Sequence, residues 1–195
     1  MISKLRPTFG RFLSDPVARC LARAGISPNA LTITGFLLNA LVAGVLAGGH
    51  LFLGGFLVLF AGWFDMLDGA LARISGRSTR FGTLLDSTVD RFSEAVLFFG
   101  LLIFYLAQGT AVEILLIYSA IVGSIMVSYV RARAEGLGLR SEVGLFARPE
   151  RVILLALGLL LSRVSPVVLL VVLWILAVGT MLTVLHRLIH AWRQK

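Results

Sequence analysis

Long apolar runs separated by short polar breaks dominate the chain from residue 28 onward. The runs cover residues 28–47, 51–74, 81–107, 111–135, 148–162 and 166–192. Breaks fall at Gly48-Gly49-His50, 75–80, Gln108-Gly109-Thr110, 136–147 and 163–165. A helix of about 20 apolar residues crosses a hydrocarbon layer, so the pattern predicts six transmembrane helices. Ser27-Pro28 and Ser165-Pro166 are helix starts, a capping side chain before a proline that needs no N–H in the first turn. Residues 1–27 are patterned differently. Ser14-Asp15-Pro16 reads as another start and Gly25 as a stop; between them Val17, Leu21 and Ala24 share a face with Arg19 and Arg23 nearby. That pattern predicts a short amphipathic helix lying on the bilayer surface rather than crossing it.

Composition agrees with an all-α integral membrane protein: 58% of the 195 residues are hydrophobic, 14% are charged, and the mean hydropathy is +0.94. One membrane domain over 1–195 is expected, an interfacial leader at 1–27 and a six-helix bundle at 28–192. Charge then orients it. In a soluble chain, 18 Lys+Arg against 10 Asp+Glu would suggest nucleic acid. In a membrane chain the excess flanks cytoplasmic helix ends and meets anionic lipid, and no nucleic-acid partner is expected. With the N-terminus inside, the outer breaks are 48–50, 108–110 and 163–165. Only Arg163 of the 18 basic residues then falls outside, which predicts an N-in/C-in multi-pass protein of the cell membrane. The lone Cys20 has no partner for a disulfide. No secretory signal is expected, because about 28 residues with five basic ones precede the first apolar run. No internal repeat is evident.

Against this oily background four carboxylates stand out. Asp65 and Asp68 are three apart near the end of the second span; Asp86 and Asp90 are four apart near the start of the third. Each pair falls on one helix face, and the short loop between the spans places all four at one depth, close to the cytoplasmic interface. Intramembrane carboxylates are costly and mark function. Four together call for cations, and Mg²⁺ or Mn²⁺ with oxygen ligands fits, with two ions able to serve the attacking and leaving oxygens of a phosphoryl transfer. Gly69, Ala72 and Gly82 leave room beside the acids, although small residues also serve helix packing in membranes. Arg73 can meet a phosphate. Thr79, Arg77 and Arg80 can also reach it, although lipid headgroups account equally well for the two loop arginines.

The full spacing, D-x2-D-G-x2-A-R-x8-G-x3-D-x3-D from Asp65 to Asp90, resembles the signature of the CDP-alcohol phosphatidyltransferases, with no departure at its eight fixed positions. Pro28-Asn29 with Thr32 and the layout of leader and six spans extend the likeness over the chain. The resemblance implies transfer of a phosphatidyl group from CDP-diacylglycerol to an alcohol, with release of CMP. It further implies that Asp65, Asp68 and Asp86 bind metal, that Asp90 binds metal and acts as general base, and that Asn29, Thr32, Gly69, Arg73 and Thr79 contact the CDP moiety. Members are often homodimers, which the resemblance extends to this chain. A carboxylate base suits a hydroxyl nucleophile, which is weak until its proton is taken.

A second set of residues bears on the acceptor. Ser128, Arg131 and Arg133 end the fourth span, Arg148 and Arg151 open the fifth, and Arg187 lies near the end of the sixth, all at the depth of the acids. Several guanidiniums suit a phosphorylated alcohol, while positive-inside decoration accounts for some, such as Arg140 and Arg193. The segments S-Y-V-R-A-R-A-E (128–135) and F-A-R-P-E-R (146–151) resemble the prokaryotic phosphatidylinositol phosphate synthases within that family. The likeness implies inositol phosphate as acceptor, its phosphate held by Ser128, Arg131, Arg151 and Arg187. Arg131 departs from the lysine common there, which leaves glycerol 3-phosphate as the competing acceptor. Two other classes compete with a phosphatidyltransferase. An intramembrane prenyltransferase also pairs aspartates with Mg²⁺, but the fixed G-x3-D-x3-D arm argues against it. A cation transporter would place its acids near the midplane between repeats, not at one edge.

Overall fold

The computed structural model describes residues 6–141 and 143–194, with side chains described from Ser14 onward. Residues 1–5 of the expected leader, Glu142 and Lys195 lie outside the described residues. The described chain is helical throughout: α1 (Arg6–Arg23), α2 (Pro28–Ala47), α3 (Leu51–Ser75), α4 (Arg80–Gln108), α5 (Ala111–Gly136), α6 (Arg148–Leu161) and α7 (Pro166–Trp192).

Local chemistry sets most of these boundaries. The Ser27 hydroxyl accepts from the Ala30 amide and Pro28 occupies the first turn of α2, satisfying a donor that a helix start leaves orphaned. The Thr79 hydroxyl caps α4 by accepting from the Gly82 amide at 2.9 Å. Gly76, with φ 65°, ends α3 in the left-handed conformation that glycine adopts without penalty. One expected boundary is wrong. α1 does not begin at Ser14–Pro16 but runs from Arg6 with Pro16 inside it. An interior proline loses one backbone hydrogen bond; burial on the other side of the helix offsets that loss. Ala18 is fully buried and, with Val17, Leu21 and Ala22, packs into a cluster with Leu31, Leu67, Ala70 and Leu71.

The remaining helices close a ring. α2 packs on α3 and α4, α4 on α5, α5 on α7, α7 on α6, and α6 on α3; α1 lies outside against α3. α3 and α4 meet at the acids but share little packing with each other. They are joined by a short loop, yet each packs along α2 instead, and the wedge left between them opens the site. Close approach makes α2 the common neighbour. A Cβ on Gly100 of α4 would stand 2.2 Å from the Ala43 carbonyl oxygen of α2, and one on Gly35 of α2 would stand 2.7 Å from Asp65 Oδ1. Small residues of this kind let membrane helices touch backbone to backbone.

The interior away from the acids is apolar, built on Leu46, Phe98, Leu101, Ile117, Leu155, Leu159, Leu173 and Leu176. Large apolar side chains also point outward, among them Leu41 at 70% exposure and Leu115 at 65%, as a lipid-facing surface requires. Four helices, α2, α3, α5 and α7, are long and apolar enough to cross a membrane. α6 has 14 residues, and α4 carries Arg80, Asp86, Asp90, Arg91 and Glu94 in its first half. The chain is therefore an all-helical integral membrane protein.

Candidate active site

The four aspartates do come to one place, from α3 on one side of the wedge and α4 on the other. Asp68 is 6% exposed. Its Oδ2 accepts from the Thr32 hydroxyl at 2.7 Å and its Oδ1 from the Gly69 amide at 2.6 Å. Asp86, on α4, lies within electrostatic reach of Asp68. Asp65 Oδ1 has Asn39 Nδ2 of α2 at 3.5 Å. Asp65 and Asp90 are joined by a cation from a third helix. Arg148, the first residue of α6, places Nη2 2.5 Å from Asp65 Oδ2 and Nη1 2.6 Å from Asp90 Oδ1.

Two cavities meet at these carboxylates. The smaller, about 190 Å³, is polar and is lined by Asn29, Thr32, Gly69, Arg73 and Thr79, together with Asp68 and Asp86. All five residues expected to hold the CDP moiety therefore face one cleft. The larger, about 490 Å³, takes in all four aspartates, Gly69, Arg73 and Arg148, and then runs onto Leu59, Trp63, Met66, Val152 and Ile153. Asp68, Gly69, Arg73 and Asp86 line both. A ligand spanning the two would have a polar end, an anionic centre and an apolar end.

The acids fit a divalent cation by donor type, since four carboxylates offer only hard oxygen ligands. As the side chains stand, no group of three acidic, imidazole or thiol side chains among the described residues is gathered to hold an ion. The guanidinium of Arg148 is seated between two of the acids, Asp65 and Asp90.

The acceptor residues are placed less as expected. Arg131 is half exposed and paired with Glu135 at 2.8 Å. The Ser128 hydroxyl donates to the Ser124 carbonyl, and the residue lines a groove with Arg91 and Tyr129. Arg187 is 4% exposed and donates to the carbonyls of Val143 and Val127. It lies within electrostatic reach of Arg131 and Arg151. Arg151, however, is not presented to a ligand. It is 1% exposed; Nε and Nη2 grip Glu94 at 2.6 and 2.5 Å, and Nη1 donates to the Phe146 carbonyl at 2.7 Å. Its charge is paired with the buried acid of α4.

Sequence reasoning passed over that acid. Glu94 sits one turn after Asp90 in apolar surroundings, and a carboxylate so placed needs a cation. Asn39 and Gly35 carry no comparable signal. Nothing in a helical apolar run marks a residue that serves a carboxylate on the next helix.

Carboxylates from two helices at the junction of a polar cleft and an apolar cavity describe a membrane enzyme working on an amphiphilic phosphate. The sequence profile of the CDP-alcohol phosphatidyltransferases matches residues 25–188. The chain belongs to that family, whose members are divalent-metal-dependent transferases of phospholipid biosynthesis. Among its relatives, the phosphatidylinositol phosphate synthase of Mycobacteroides abscessus is 42% identical over 193 residues, covering 96% of this chain and 86% of the relative. The archaetidylinositol phosphate synthase of Methanothermobacter thermautotrophicus is 35% identical, covering 100% and 95%. The crystal structure of the Mycobacterium tuberculosis phosphatidylinositol phosphate synthase with CDP-DAG bound superposes with a TM-score of 0.85 at 39% identity, covering 92% of this chain and 93% of that one. A structure of the same enzyme with manganese and citrate gives 0.84, covering 92% and 88%.

Proposed function

We propose that this protein transfers the phosphatidyl group of CDP-diacylglycerol to a hydroxyl of inositol phosphate, releasing CMP. The observation that carries this reading is the meeting of the two cavities at the aspartates. The nucleotide lies in the cleft of Asn29, Thr32, Gly69, Arg73 and Thr79, and the diacylglycerol lies along Trp63, Met66, Val152 and Ile153. The diphosphate then crosses the carboxylates. Asp65, Asp68, Asp86 and Asp90 hold two Mg²⁺ or Mn²⁺ ions; when bound, these offset charge on the transferring phosphoryl group and on the departing phosphate. Asp90 takes the acceptor's hydroxyl proton as that oxygen bonds to the phosphatidyl phosphorus. The bond from that phosphorus to the CMP oxygen breaks, and its electron pair leaves with CMP. Thr32 and the Gly69 amide hold Asp68 in one orientation, and Asn39 supports Asp65.

Inositol phosphate is favoured as acceptor by the relatives, which are named as synthases of phosphatidylinositol phosphate or archaetidylinositol phosphate, and by Arg131 and Arg151 lying within electrostatic reach of Arg187. Arg131, Ser128 and Arg187 take the acceptor's phosphate; Arg151, held by Glu94, contributes its field and the position of α6. The ring of α2–α7 supports six membrane spans, α4 and α6 included, with both termini and the site on the cytoplasmic side. Arg163, the one basic residue at the far end, is folded over the Phe52 ring at 5.1 Å. The chain works as a homodimer in the cell membrane. The test reconstitutes the protein with CDP-diacylglycerol, Mn²⁺ and a panel of inositol phosphate, glycerol 3-phosphate, free inositol and serine, and follows CMP. Release with glycerol 3-phosphate alone overturns the acceptor; no release with any alcohol overturns the transferase.

A further inference from the structure

We propose that Arg148 competes with the divalent cations for Asp65 and Asp90 and thereby sets how tightly the site holds metal. This rests on the reading of the aspartates as metal ligands. The four carboxylates are not served alike. Asp68 is held by two neutral donors, the Thr32 hydroxyl and the Gly69 amide, which leave its charge available to an ion. Asp65 and Asp90 instead each give an oxygen to one guanidinium, at 2.5 and 2.6 Å. An ion at either carboxylate meets a positive charge already seated between them.

The guanidinium is built to be there and able to leave. Arg148 is the first residue of α6, followed by Pro149, so its backbone is fixed where α6 starts against α3. Its side chain is 23% exposed and lines the larger cavity, which leaves space to swing away from the carboxylates without disturbing the core. Arginine does not give up its proton, so it yields only by moving. It therefore ties α3 and α4 to the start of α6 and is exchanged for metal on one or both acids. Its presence lowers metal affinity and keeps the ions exchangeable.

The experiment titrates Mn²⁺ into the purified full chain in detergent and counts free ion by electron paramagnetic resonance, without substrate. Arg148→Gln removes the competitor and keeps a polar side chain. It should bind Mn²⁺ roughly tenfold tighter, the worth of one charge-assisted hydrogen bond. Arg148→Lys keeps a point charge that serves one carboxylate at a time and should fall between it and the wild type. A residue with only a structural role gives the opposite sign, since a loosened site binds ions less well. Unchanged or weaker binding in Arg148→Gln overturns the proposal. Should that variant not fold, Arg148→Lys decides, and an affinity equal to or below wild type overturns it. Absence of Mn²⁺ binding to the wild type overturns the metal reading itself, an outcome distinct from a normal wild type with an unchanged variant.

Discussion

The Glu94–Arg151 pair allows a quantitative test of what holds α6 to α4. Both side chains are buried, at 5% and 1% exposure, so water screens little of the interaction. Removing one partner of a buried pair typically costs about 3–5 kcal/mol, because the other charge is left uncompensated, while replacing both by apolar groups of similar volume is close to neutral. The two single losses should differ. In Arg151→Met the stranded Glu94 can take a proton and become neutral; in Glu94→Leu the stranded guanidinium cannot shed its charge and retains only the Phe146 carbonyl. Glu94→Leu should therefore cost about 3–5 kcal/mol and Arg151→Met less. The double variant should return to within about 1–2 kcal/mol of wild type. Unfolding in mixed micelles, followed by tryptophan fluorescence or SDS titration, measures all three. A double variant whose loss equals the sum of the singles would falsify the coupling. Activity supplies a second readout: the double variant should show a raised KM for the acceptor, because the Arg151 charge within electrostatic reach of Arg187 has gone.

Gly100→Ala should destabilise strongly, by about 1–3 kcal/mol or more, since its Cβ would stand 2.2 Å from a backbone oxygen of α2; a thermal melt in detergent reads this. Gly69→Ala should melt as wild type, because its nearest neighbour would be Arg73 Nη1 at an ordinary 3.5 Å, yet raise the KM for CDP-diacylglycerol by crowding the cleft. Asp90→Asn should bind the CDP-lipid and remain folded while CMP release falls to background; turnover within tenfold of wild type would remove Asp90 as base. Chelation with EDTA should abolish CMP release, and added Mn²⁺ or Mg²⁺ should restore it.

The elements were legible because apolar runs of span length are bounded by serine–proline starts and glycine stops, features written in adjacent residues. The acids were legible because carboxylates are costly in an apolar run and their spacing is periodic. What the sequence withheld is pairing across helices. Pro16 reads as a start because the local signal is strong, but tertiary burial of Ala18 and Leu21 carries α1 through it. Arg148 and Arg151 stand three apart and look equivalent. Only the fold separates them, sending one to Asp65 and Asp90 and the other to Glu94. Likewise nothing in the sequence marks α2 as the helix that packs against both α3 and α4, with Gly35 and Gly100 at the close approaches.

The shortness of α6 bears on how substrates reach the acids. Fourteen residues rise about 21 Å at 1.5 Å each, against a hydrocarbon thickness of about 30 Å. On the proposed topology, with α6 crossing and Leu161 at one face of that layer, Arg148 and the carboxylates beside it stand about 9 Å short of the other. That topology puts the chemistry at the floor of a well sunk into the leaflet. The lipid donor does not rise to meet a soluble alcohol. The alcohol sheds bulk water and descends to a headgroup that keeps its tails at their ordinary depth.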